Sequence, residues 1–232
     1  IRDSQYCDIV LVGDSLGMAY YGDTSTRSVS LNDMIRHAKS VRSGVKKALM
    51  VVDMPYGTCK NPLLAKKNAL RIIKETKCDA VKLEGGKEIK HIIQYLIKNK
   101  INVMGHIGLL PQKVQSKKDY KIKGINLAEK NKILKDLKNI QEAGVFAIVL
   151  EAVKNEAAKE VMKLSKVPII GIGASKKCDG QILVMEDMLG MFKKVPKFVK
   201  KYSNLRGYVK KAVKEYAKDI KNKKIPTKKN IY

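Results

Sequence analysis

Long apolar runs are missing from this sequence. It contains no stretch of eighteen or more apolar residues, which argues against a membrane-spanning helix. The start also lacks the charged, apolar, small-residue order of a secretory signal, so a cytoplasmic protein is expected. Cysteine is sparse. Cys7, Cys59, Cys78 and Cys178 are scattered without CxxC spacing, which argues against a zinc site or a disulfide framework and for reduced thiols. Acids are few, 22 against 48 Lys and Arg, leaving a net charge of +26. Such a charge invites a nucleic-acid reading. Its distribution opposes that reading. Fifteen Lys or Arg face only Glu215 and Asp219 between Phe192 and Tyr232, which places half the excess at one end. Aromatics make up 6% of the chain, and no RNP-like motif or zinc finger accompanies the lysines, so a solvated basic surface is expected.

What is present is alternation. Seven short runs rich in Val, Ile and Leu read as buried parallel strands: 8–14, 48–53, 80–84, 101–106, 147–151, 167–172 and 181–185. Helical patterns lie between them. Ser30 is placed to cap a helix carrying Leu31, Met34, Ile35, Ala38 and Val41 on one face. Asn61-Pro62 reads as a cap followed by proline at the first helical position. Further stripes run through Ile89–Ile97 and Leu134–Ile140, the latter closed by Gly144. Asn155 is expected to cap a short helix carrying Ala158, Val161 and Met162. A last stripe from Leu205 to Ile220 has lysines opposite it and is expected to meet core or a neighbouring subunit.

Strands alternating with helices imply a parallel sheet with crossover helices. With 232 residues, 44% of them hydrophobic, the chain fits one α/β barrel domain of the TIM type, (β/α)8. Seven strands are visible where eight close such a barrel. The chain starts at Ile1, so the first strand is expected to be missing from it. The expected division is a catalytic barrel over residues 1–221 and a basic tail over 222–232. The connection from Gly108 to Asn126 is too polar for core and is expected to act as a mobile lid.

Polar residues stand where the apolar runs end: Asp14, Asp53, Glu84, His106 and Glu151. In a parallel barrel all strand C-termini share one face, so these side chains converge on one mouth. Alternation within VKLEGG points Lys82 and Glu84 the same way. By the same rule Asp14 shares a face with Val10 and Val12, Asp53 with Val51, and Glu151 with Val149. Acids crowded on one mouth suit a hard divalent ion, Mg2+ first, with Mn2+ or another as alternatives. Such an ion chelates a 2-oxo acid and favours loss of a proton from the neighbouring carbon. One carboxylate must stay off the metal as base, and Glu151, on a later strand, is the candidate.

Eight segments stand in order along the chain: GDSLGM (13–18), DMPYG (53–57), VKLEGG (81–86), GHIGLLPQ (105–112), VLE (149–151), IGIGAS (170–175), DGQILVMED (179–187) and PKFVKKY (196–202). Together they resemble the ketopantoate hydroxymethyltransferase family over nearly the whole chain. The resemblance implies a (β/α)8 barrel with one Mg2+ per subunit and 5,10-methylenetetrahydrofolate as co-substrate. The implied reaction adds a hydroxymethyl group to 3-methyl-2-oxobutanoate, giving 2-dehydropantoate for pantothenate and coenzyme A synthesis. It further implies a homo-oligomer, while the charge distribution and the lack of a long apolar run argue against nucleic acid and membrane as partners. Residue by residue, it puts the metal at Asp14, Asp53 and Glu84. It puts the 2-oxo acid on Asp14, Ser15, Asp53 and Lys82 with His106 in the pocket, and the proton acceptor at Glu151. Folate contacts are not marked.

The likeness has departures. Lys154 stands where relatives usually carry Pro, Ser175 where Gly is usual, and Lys118-Asp119-Tyr120 where Gly-Gly-Tyr is common. Three other readings stay open at this point. One is a different Mg2+-dependent lyase or aldolase of the phosphoenolpyruvate/pyruvate barrel type. The second is a basic nucleic-acid-binding protein, which steep salt dependence would reveal. The third is an inactive homologue retained as an assembly subunit.

Overall fold

The computed structural model describes residues 6–232, which divide into two compact units, one ending at Ile182 and the other spanning Leu183–Tyr232. In the first unit β1 (Ile9–Val12), β2 (Leu49–Asp53), β3 (Ala80–Glu84), β4 (Val103–Gly108), β5 (Ala147–Glu151), β6 (Ile169–Ile172) and β7 (Gly180–Gln181) form one sheet. The order is sequential and every pair is parallel. The helices are α1 (Leu31–Gly44), α2 (Pro62–Thr76), α3 (Lys90–Lys98), α4 (Leu127–Ala143) and α5 (Asn155–Leu164). This is a TIM-type α/β architecture in which each βα unit adds the next strand on the same side.

Local chemistry sets the helix starts. The Ser30 hydroxyl accepts from Asp33 N–H while the Asp33 carboxylate accepts from Ser30 N–H, a reciprocal box that opens α1. Asn61 caps α2 through Leu64 N–H, with Pro62 at the first position. Asn155 departs from expectation. The helix begins at Asn155 itself after an uncapped Lys154, and the Asn155 side chain instead accepts a hydrogen bond from the buried Ser175 hydroxyl at 2.8 Å. That bond gives the serine at 175 a structural use. Lys154 has φ −55°, an angle proline shares, yet its N–H donates to Lys123 O at 2.9 Å, a bond proline could not make.

Alternation sorts the core into two layers. Val51, Ala80, Met104, Ala147, Val149 and Ile170 pack together on the concave side, with Ile9 and Leu11 against them. Met50, Val52, Val81, Leu83, Ile107, Ile148 and Leu150 face the helices. Val10 and Val12 also lie in the helix-facing layer. The reading that groups Asp14 with them on the inner face is therefore corrected. Asp14 lies beyond the strand in a turn where Leu16 N–H bonds Gly13 O, and Gly17 N–H bonds Asp14 O. The turn carries it to the mouth.

Two other expectations change. His106 does not end its strand, because β4 continues to Gly108, whose φ of +95° and close approach to the Glu151 carbonyl both require glycine. The run 181–185 is strand only at its first residue; Val184 already precedes a short helix, α6 (Met185–Met188), with two acids in its first turn. The second unit consists of α6 and the long α7 (Leu205–Lys221) with their connections. No residue of α7 is buried, and Tyr208, Val209, Val213, Tyr216 and Ile220 are exposed. No described helix is long and apolar enough to cross a membrane.

Candidate active site

The parallel register lines up the polar strand ends. Asp53 pairs with Lys82, Glu84 with His106, and Gly108 with Glu151. Asp53, Lys82, His106 and Glu151 take the inner face of their strands, and the Asp14 turn joins them through Asp14 N–H donating to Asp53 Oδ2 at 3.0 Å. Asp14, Asp53, Lys82 and His106 are all buried. Lys82 Nζ is 3.0 Å from Asp53 Oδ1 and 3.1 Å from His106 Nδ1. His106 Nε2 is 3.2 Å from Glu151 Oε2, and Nδ1 is 3.6 Å from Glu84 Oε1. Ionisable groups thus run in a line from Asp53 through Lys82 and His106 to Glu151.

The electrostatics follow from burial. Desolvation pulls the Lys82 ammonium down, but Asp53, Glu84 and Asp14 together hold it above its ordinary value, so it stays charged. Burial and then the Lys82 charge push His106 down to about 4, so the ring is neutral at pH 7. An ammonium only donates, so Nδ1 accepts from it and the ring proton sits on Nε2, facing Glu151. Nε2 makes no hydrogen bond in its present orientation. Burial, then the Asp53 charge, raises Asp14 to about 7. Burial raises Glu84 to about 7, with Asp14 and Asp53 adding to the rise against His106 and Lys82. Burial alone raises Glu151 to about 7, opposed by Lys82.

Asp53 has both oxygens engaged, one by Lys82 and one by Asp14 N–H. Asp14 and Glu84 are less well compensated, which their raised values express. Two crowded, under-compensated carboxylates suit a divalent cation in donor chemistry. As the side chains stand, no group of three His, Cys, Asp or Glu among the described residues is gathered as a metal cage. Ser15 lies beside this cluster. Its Oγ and Asp53 Oδ2 are 3.2 and 3.5 Å from where a Gly13 Cβ would be, so glycine leaves the space between them open.

Sequence reasoning missed Gln112. It ends the GHIGLLPQ segment and sits in a short turn, Pro111–Lys113, of the β4–α4 connection. Gln112 Nε2 donates to Asp14 Oδ2 at 2.8 Å and to Met54 O at 3.0 Å, and Gln112 N–H donates to Glu84 Oε2 at 3.0 Å. Its membership of that segment was its only signal. The same connection is less free than a lid reading supposes, because Lys123 bridges to Val153 and Val114 is buried beside Leu109 and Ala152. Cys59 also lies close by, with a thiol that burial pushes up to about 12, which leaves it a poor nucleophile.

Residues 1–228 match the profile of the family described as ketopantoate hydroxymethyltransferase. A 3-methyl-2-oxobutanoate hydroxymethyltransferase from Pelagibacter ubique (strain HTCC1062) is 54% identical over 228 residues, covering 98% of this chain and 88% of that protein. The enzyme of the same name from a Nitratiruptor species is 50% identical over 226 residues, covering 97% and 86%. Among solved structures, 2,3-dimethylmalate lyase, a PEP mutase/isocitrate lyase superfamily member, aligns with a TM-score of 0.57 at 14% identity over 99% of this chain and 79% of that one. Oxaloacetate acetylhydrolase in complex with oxalate aligns with a TM-score of 0.54 at 11% identity over 100% and 81%. At those identities the structural likeness bears on the fold, and it agrees with the TIM-type sheet.

Proposed function

Because the chain belongs to the ketopantoate hydroxymethyltransferase family, we propose that it transfers a hydroxymethyl group from 5,10-methylenetetrahydrofolate to 3-methyl-2-oxobutanoate, giving 2-dehydropantoate. The observation that carries the chemistry is Glu151. It is a carboxyl raised to about 7, facing a neutral imidazole and outside the hydrogen bonds that join Asp14, Gln112 and Glu84. A general base is most effective when its pKa lies near the working pH.

In this reading Asp14, Asp53 and Glu84 hold one Mg2+ per subunit. A divalent ion held there would supply Lewis acidity, offsetting the negative charge that develops on the 2-oxo oxygen. Asp14, Ser15, Asp53 and Lys82 orient the acid's carboxylate and 2-oxo group. The Lys82 ammonium supplies fixed positive charge at the inner end of the site. Glu151 takes the C3 proton. Water releases the folate's one-carbon unit at the formaldehyde level, breaking both of its C–N bonds and leaving tetrahydrofolate. The carbanion equivalent adds to that carbonyl carbon, whose oxygen becomes the new hydroxyl. His106, neutral and with its proton on Nε2, presents a donor toward Glu151 once that carboxyl is ionised. The exposed apolar stripe of α7 meets a second copy of the chain in a homo-oligomer, which would cover Tyr208, Val213 and Tyr216.

The test is an assay of the chain with 3-methyl-2-oxobutanoate and methylenetetrahydrofolate, with Mg2+ and with a chelator. Formation of 2-dehydropantoate that the chelator stops is expected. Binding of the 2-oxo acid without turnover in the presence of Mg2+ and folate would refute the proposal.

A further inference from the structure

Asp14 and Glu84 belong to the ends of β1 and β3, which are separated in the sheet by β2. Among the described residues, Gln112 alone hydrogen-bonds both, through its side-chain amide to Asp14 Oδ2 and its backbone N–H to Glu84 Oε2. A second side-chain bond, to Met54 O, fixes the direction of the amide. The Pro111–Lys113 turn that carries Gln112 stands between two cavities. One of about 300 Å3 is lined by Leu109, Lys113, Lys123 and Asp136, and one of about 210 Å3 by Met54, Tyr56, Leu83, Glu84 and Gln112. A residue from a loop thus reaches over the strand ends and sets the mutual orientation of two acids that no other described residue ties together.

We propose that Gln112 is a positioning residue that orients Asp14 and Glu84 for a divalent cation and couples the 109–125 connection to its binding. The inference rests on the cation reading above. A carboxylate whose rotation is already fixed by an amide donor presents its remaining lone pairs in one direction, so less ordering is left for the ion to impose. The backbone bond to Glu84 survives replacement by leucine or alanine, whereas the side-chain bonds to Asp14 and Met54 do not. The side chain is therefore the part that can be tested.

The experiment compares the unmodified chain with Gln112→Leu and Gln112→Ala. Mn2+ affinity is measured by electron paramagnetic resonance, and amide hydrogen exchange is followed across 109–125 with and without Mn2+. In the unmodified chain Mn2+ should slow exchange in this connection. In both variants affinity should fall by about 10- to 100-fold, the usual effect of losing a group that orients a ligand. The Mn2+ effect on loop exchange should disappear while the thermal melt is retained. Unchanged Mn2+ affinity in a folded variant would overturn the inference and leave the cation reading intact. Absence of Mn2+ binding to the unmodified chain would overturn both. Should Gln112→Leu lose affinity only by failing to fold, normal binding by a folded Gln112→Ala would count against the proposal.

Discussion

Replacing Glu151 by glutamine should flatten the pH dependence of stability of the chain in the presence of a chelator. Burial raises the Glu151 carboxyl from 4.5 to about 7, against the pull of Lys82. Between those values the folded chain keeps a proton that the unfolded chain has released. Stability is therefore fully present below about 4.5 and is lost as pH rises through about 7. At about 1.4 kcal/mol per pKa unit, the shift corresponds to about 3 kcal/mol. For a chain of this size that is roughly 6–12 °C in Tm. Asp14 and Glu84 are raised in the same way and give the variant a residual slope of the same sign. His106, pushed down to about 4 by burial and the Lys82 charge, works in the opposite direction below its ordinary value and is present in both proteins. The assay is thermal unfolding followed by circular dichroism at pH 5 and pH 8. Over that interval the contribution is about 2.5 kcal/mol, so the unmodified chain should lose roughly 5–10 °C more than Glu151→Gln. Parallel losses would refute the argument that Glu151 is desolvated.

Glu84→Gln should weaken Mn2+ or Mg2+ binding, because a neutral amide oxygen is a poorer ligand for a hard cation; unchanged affinity by calorimetry would remove Glu84 from the metal. Glu151→Gln should bind cation and 2-oxo acid but lose exchange of the C3 hydrogen with deuterated water, followed by NMR without folate; persistent exchange would remove Glu151 as base. Lys82→Met removes the buried charge that compensates Asp53, so it should destabilise the chain at pH 8 by about 3–5 kcal/mol, seen in denaturant unfolding; a neutral effect would mean that the ion pair is dispensable. Gly86→Ala would drive a methyl into the Asp136 carboxylate, which accepts from Lys87 N–H and Lys132; a loss of about 1–3 kcal/mol is expected, and a melt identical to the parent would contradict that packing.

The apolar runs and helix caps were readable because they depend on neighbours in the chain. Alternation in β2, β3 and β5 sufficed to put Asp53, Lys82, Glu84 and Glu151 on one face, and the parallel topology brought those ends together. The ordered segments carried the family. Tertiary structure decided what local periodicity does not encode. Asp14 reaches the site through a turn after β1 ends, so alternation along the strand assigned it to the wrong face. Asn155 was free to cap its helix by sequence alone, but folding brings the Ser175 hydroxyl to it across 20 positions. The partners of His106 come from β3 and β5; only folding buries the ring beside Lys82, which lowers its pKa and fixes which nitrogen carries its proton. Gln112 joins the acids across separations of 98 and 28 residues. No local pattern marks such a contact, because it depends on a connection folding back over strand ends whose positions the whole sheet determines.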